Sequence, residues 1–204
     1  MGHHGGRAPI LTGAAAFDRS RLVDRPEAVA PLLLGCTITV GATSGRIVEV
    51  EAYAGIDDPA SHAHRGPTPR SAIMFGEVGR LYVYRSYGVH WCANVVAHQE
   101  GEPGAVLLRA VEPLAGLDLM RLRRGPAVRR DRDLGSGPGR LTQALGIEGR
   151  HDGVDLLAPG SPVTLADRSA ADAPIAVAST RIGISRATDL PWRFSIAGSP
   201  CRSR

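Results

Sequence analysis

Alternation of apolar and polar residues at a period of two recurs along this chain and restricts its fold more than any other feature. The pattern runs from Cys36 to Val40, Arg46 to Ala54, Leu81 to Arg85 and His90 to Val96. Gly41 to Gly45 separates the first pair and suits a hairpin turn, and Tyr87 and Gly88 join the second. Ala105 to Val111 is a further strand, largely apolar and therefore predicted to be central. Strands that follow one another through hairpins build an antiparallel sheet.

Helical signals lie between and after these strands. Residues 17 to 34 end in the Leu32 to Leu34 cluster before Gly35 and predict a short helix or a pair of turns. Pro113 can open a helix whose apolar residues Leu114, Leu117 and Met120 follow at spacings of three. Ser136-Gly-Pro-Gly opens another, with Leu141, Ala144 and Leu145 on one face and Gly146 closing it. The fold class expected is α+β: one curved antiparallel sheet with a protruding β-hairpin and helices around it. No repeat or linker divides the chain, so residues 17–204 are expected to form one domain. Residues 1–16, with few apolar groups to offset the entropy of ordering, are expected to be a disordered tail.

Composition removes several mechanisms. The 24 basic residues are all Arg, and without a lysine amine neither a P-loop nor a lysine Schiff base can form. Cys36, Cys92 and Cys201 are odd in number and in no C-x-x-C pair, which argues against a disulfide framework and a cysteine zinc site and predicts a reducing cytosol. No apolar run approaches bilayer length, and a soluble monomer is expected. The net charge of +4 favours polyanions without identifying one. It is also unevenly spread: seven Arg against Asp131 and Asp133 give residues 121–140 a net +5, which suits a phosphate backbone or a solvated helix face. Ser136, Gly137 and Arg140 at the following helix start could grip a phosphate together.

In Arg46 to Tyr53, alternation places Glu49, Glu51 and Tyr53 on one face together with Ile47, opposite Val48, Val50 and Ala52. That face is either solvated or a pair of carboxylates and a phenol assembled for chemistry. His62 and His64 follow in a loop rich in Asp, Pro and Gly, and with Asp57 and Asp58 they admit a metal reading, although no recognised zinc spacing is present. Tyr82, Tyr84 and Ser86 share a strand face, as do His90, Cys92 and Asn94. Tyr87, at the hairpin tip, is either folded back onto the protein or presented to a partner.

Taken together, these residues resemble the alkyladenine, or 3-methyladenine, DNA glycosylase family of the mammalian type. The resemblance is carried by R-I-V-E-V-E-A-Y at 46–53, P-T-P-R at 67–70, M-F at 74–75, L-Y-V-Y at 81–84, Y-G at 87–88, V-L-L-R-A at 106–110, S-G-P-G-R-L at 136–141 and G-S-P at 198–200, in order and over nearly the whole chain from Phe17. It implies a base-excision-repair enzyme that needs no cofactor or metal and whose partner is double-stranded DNA containing damaged purines, in a cytoplasmic, nucleoid-associated setting of bacterial type. By the same resemblance Glu51 deprotonates the attacking water and Arg109 helps hold it. Tyr53, His62, Tyr84 and Asn94 would enclose the extruded base, Asn94 crowding a guanine amino group, and Tyr87 would enter the duplex in its place. Val89 and His90 depart from the bulkier Met and Tyr expected beside that wedge. Aromatic walls are expected to hold a cationic alkylated base more strongly than a neutral one.

Two other classes fit parts of the sequence. A noncatalytic DNA-binding module would use the basic stretch and Tyr87 and leave Glu51 structural. A metal-dependent hydrolase would use His62, His64 and Asp58 and lose activity on chelation.

Overall fold

The computed structural model describes residues 15–203. Among them eight strands form one curled sheet, antiparallel at every pairing, in the order β3-β4-β5-β2-β1-β6, with β8 also on β2 and β7 outside β8. The strands are β1 (Thr37–Val40), β2 (Thr43–Tyr53), β3 (Leu81–Ser86), β4 (His90–Val96), β5 (Ala105–Ala115), β6 (Val163–Ala166), β7 (Ala176–Ser179) and β8 (Arg193–Ile196). The α+β expectation holds. The central strands are β2 and β5, as the apolar character of β5 predicted. Of the expected tail, residues 1–14 lie outside those described; Ala16 forms an isolated bridge with Ala166.

Helix α1 (Pro26–Leu33) begins with Pro26, whose missing N–H costs nothing in a first turn, and buries Pro26, Val29, Ala30 and Leu33 at positions i, i+3, i+4 and i+7. That stripe packs on β2 and β5. The last of the three helices, α3 (Pro138–Leu145), buries Leu141, Ala144 and Leu145 and is closed by Gly146 in the left-handed conformation at φ 81°, as its sequence signals predicted. Between them α2 (Leu117–Arg124) packs on α3.

Three expectations are corrected. Pro113 does not open a helix; it pairs with Gly45 inside β5, beside a register shift that removes the need for its missing donor. The helix starts instead after Gly116, whose φ of 72° and 2.4 Å gap between a would-be Cβ and the Ala42 carbonyl oxygen leave room for glycine alone. The first hairpin turn is also shorter than Gly41 to Gly45, since Val40 already pairs with Thr43.

The third correction shapes the site. Ile47 faces the main core with Val50 and Ala52, whereas Val48 packs with Ala110 and Cys201. The register of β2 on β5 shifts between Ile47 and Glu49 and again between Glu49 and Val50, so that Val48 on one strand and Arg109 on the other have no opposite partner. Such bulges re-aim side chains. Here they turn Arg109 toward Glu49 and Glu51.

Candidate active site

Glu49 and Glu51 are both fully buried, so the solvated-face reading fails. A buried carboxylate must find donors. The two oxygens of Glu51 divide theirs: Oε2 accepts the Tyr53 hydroxyl at 2.9 Å and pairs with Arg109 Nη1 at 3.1 Å, and Oε1 accepts the Ile182 N–H at 2.8 Å. Glu49 takes Arg109 Nε at 3.2 Å, Arg193 at 3.2 Å, and the Ser203 N–H and hydroxyl at 2.5 and 2.7 Å. Two buried carboxylates and two guanidiniums therefore balance beneath the pocket.

Above this floor opens a pocket of about 970 Å³. Its walls include Tyr53, His62, Tyr84 and Asn94, the residues that the resemblance would put around a base, together with Arg109, and Tyr87 stands at its rim. The β3–β4 register sets Tyr82 opposite Asn94 and Tyr84 opposite Cys92, so residues from two strands converge on one face. His62 joins them from the loop after β2, its ring 4.7 Å from Tyr84 in an edge contact and its Nδ1 2.9 Å from the Tyr82 hydroxyl. Burial, with a smaller contribution from nearby Arg70, holds the His62 pKa below the usual imidazole range. Burial also raises the Tyr53 and Tyr84 phenols well above their ordinary values and pushes Tyr82 up to about 12. Asn94 is buried and donates to the Tyr82 carbonyl at 3.1 Å.

Tyr87 is not folded back. It is 92% exposed and adopts φ 50°, a conformation that a bulky residue rarely takes, between strands whose own pairing holds the tip. Val89 beside it is also exposed.

Ser136, Gly137 and Arg140 lie at the start of α3, whose Pro138 reaches the pocket. Gly137 has φ 139° and Arg140 is bonded to the Ser136 carbonyl and hydroxyl, each at 3.3 Å. Much of the basic stretch is occupied internally: Arg121 holds Asp118 and Asp131, Arg130 holds Asp133, and Arg123 and Arg124 hold the Ala144 and Leu134 carbonyls.

Two residues of the metal reading have other partners. Asp58 is fully buried in a two-pronged pair with Arg181 at 2.6 and 2.9 Å, and His64 Nδ1 lies 2.5 Å from the Ile56 carbonyl oxygen. No group of three or more His, Cys, Asp or Glu able to hold an ion occurs among the described residues. Nor is any described helix long and apolar enough to cross a membrane.

Sequence reasoning passed over several contributors. Arg181 lies over Tyr53 at 4.8 Å, Ile182 contributes a backbone N–H, and Arg193 and Ser203 secure Glu49 from late in the chain. Arg70 lies over the Tyr84 ring at 4.6 Å. Only Arg70, within P-T-P-R, stood in a segment that had drawn notice.

Comparison with known proteins identifies the family. The family model described as methylpurine-DNA glycosylase matches residues 20–200. A protein of Burkholderia lata named "Putative 3-methyladenine DNA glycosylase" is 52% identical over 200 residues, 96% of this chain and 94% of its own. Relatives of the same name from Rhodopseudomonas palustris and Frankia casuarinae are 54% and 50% identical, over 84% and 92% of this chain and 82% and 92% of theirs. With its buried carboxylate under an aromatic pocket and a match over nearly its whole length, this chain belongs to the methylpurine-DNA glycosylase family.

Proposed function

We propose that this DNA glycosylase excises alkylated or deaminated purines from duplex DNA by flipping the nucleotide out and hydrolysing its glycosidic bond with water activated by Glu51. The observation that carries the reading is the state of Glu51. Three donors fix its carboxylate under the pocket, and Oε1, with one of them, keeps an acceptor site for a water hydrogen. As C1′–N9 lengthens, the sugar takes on oxocarbenium character, which the carboxylate stabilises while it receives the water's proton. Arg109 orients it. Tyr53, His62 and Tyr84 receive the base, Asn94 crowds a guanine amino group, and Tyr87 fills the vacated stack, offsetting the few kcal/mol that extrusion costs. Ser136, Gly137 and Arg140 meet the DNA backbone.

The reaction uses no metal and no lysine Schiff base, and strand cleavage through such an intermediate is not expected. A panel of single-lesion duplexes carrying 3-methyladenine, 7-methylguanine, hypoxanthine or ethenoadenine, assayed with and without chelator, tests the whole reading. Base release indifferent to chelator is expected; binding without release on every lesion supports the noncatalytic module, and loss on chelation the metal hydrolase. Borohydride trapping with abasic DNA should give no adduct on a side chain, because no lysine exists to form one; an adduct mapping to the N-terminal amine is the one exception.

A further inference from the structure

The residues lining the pocket include five arginines, Arg65, Arg70, Arg85, Arg109 and Arg186, and no Asp or Glu. Two guanidiniums at the catalytic floor and the Tyr53 wall are neutralised. Arg109 is balanced by Glu49 and Glu51, and Arg181, over Tyr53, is balanced by Asp58. Arg70 is different: it lies 4.6 Å from the centre of the Tyr84 ring, its hydrogen bond goes to the Arg85 carbonyl at 3.1 Å, and it pairs with no carboxylate among the described residues. One π face of each stacking tyrosine is thus already occupied by a cation, and at Tyr84 that cation is uncompensated.

Resting on the glycosylase reading above, we infer that Arg70 sets substrate specificity, its charge at the Tyr84 wall favouring neutral damaged purines over cationic alkylated ones. The difference arises on binding and persists through departure. Tyr84 already engages Arg70 through its π electrons, and a cationic base brought against the same ring meets a like charge nearby, so the gain expected from a cation on an aromatic wall is offset. Departure preserves the difference. Heterolysis of C1′–N9 sends the electron pair to the base while water supplies hydroxide to C1′ and a proton to Glu51. In either case the base's charge falls by one unit, so a nearby cation assists departure from the bound state equally; measured from free enzyme and duplex, it stabilises a neutral base that turns negative and opposes a cationic base that is still partly positive. Burial first, and then Arg70, hold the His62 pKa below the ordinary imidazole range, in keeping with a positive charge beside the pocket.

The test compares single-turnover release of 7-methylguanine, which is cationic, with that of hypoxanthine, which is neutral, from otherwise identical duplexes at subsaturating enzyme, where the rate reports the transition state relative to free enzyme and duplex. Wild type, Arg70→Gln and Arg70→Lys are measured. Arg70→Gln should raise the 7-methylguanine to hypoxanthine rate ratio about tenfold or more, the size of a coulombic interaction across roughly two ring thicknesses at intermediate dielectric. Arg70→Lys should keep the wild-type ratio. Arg70 is exposed, and thermal melting with binding to an abasic-analogue duplex verifies that both variants are folded. An unchanged ratio, with both lesions slowed equally and binding weakened, makes Arg70 a backbone contact and overturns the inference. Wild-type protein that releases neither base contradicts the glycosylase reading itself, a separate outcome.

Discussion

Arg109 stands 3.1 Å from Glu51 and 3.2 Å from Glu49, one guanidinium bridging two carboxylates that share a strand. Neither carboxylate could be buried alone, since an unpaired buried charge costs several kcal/mol. Glu49 is thus no bystander on an exposed face. It fixes Arg109, Arg193 and the Ser203 backbone, and Arg109 in turn fixes Glu51.

Tyr87→Ala should weaken binding to an abasic-analogue duplex and leave unfolding within about 0.5 kcal/mol of wild type, because a side chain 92% exposed contributes little to the core. Equilibrium binding beside denaturant unfolding checks both. Unchanged affinity would make Tyr87 an ordinary surface residue.

Asp58→Ala should destabilise the fold by about 3 to 5 kcal/mol, since it strands the Arg181 guanidinium in a fully buried position. The same pair holds Arg181 over Tyr53 and Trp192, so the pocket wall loosens with it. Urea denaturation is the measurement, and near-wild-type stability would contradict the role assigned to the pair.

How much of this was legible in the sequence differs by element. Period-two alternation placed the hairpin and its tip, because β3 and β4 carry no irregularity and their faces follow directly from residue parity. It failed at Ile47 and Val48, where both neighbours are apolar and a bulge leaves no mark in the pattern. Pro113 misled for a similar reason: a proline that opens a helix and one that sits at a strand irregularity look alike in a short window. Ile182 acts through a backbone N–H, which any residue type supplies, so no side-chain signal could have announced it.

Acid should weaken the protein through its histidines. His151 is buried and its Nδ1 accepts the Glu148 N–H at 3.0 Å; burial first, then Arg150, keeps its pKa below the ordinary value. His62 is shifted the same way. With the folded pKa depressed, the unfolded chain binds more protons below about pH 6.5, so stability is full above that value and falls as pH drops toward the folded pKa. The melting temperature should decline between about pH 6.5 and 5, before ordinary carboxylates titrate. A flat or rising profile there would contradict this assignment.

The most direct test of the account is Glu51→Gln, which keeps the side chain's size and removes its charge and basicity. Single-turnover excision is measured on the lesion that wild type releases fastest, beside binding to an uncleavable abasic analogue. The rate should fall by about 10²- to 10⁴-fold or more, with binding retained. Glu49→Gln, measured in parallel, should lower the melting temperature because Glu49 anchors Arg193 and Ser203. Near-wild-type excision by a folded Glu51→Gln protein would contradict the central assignment.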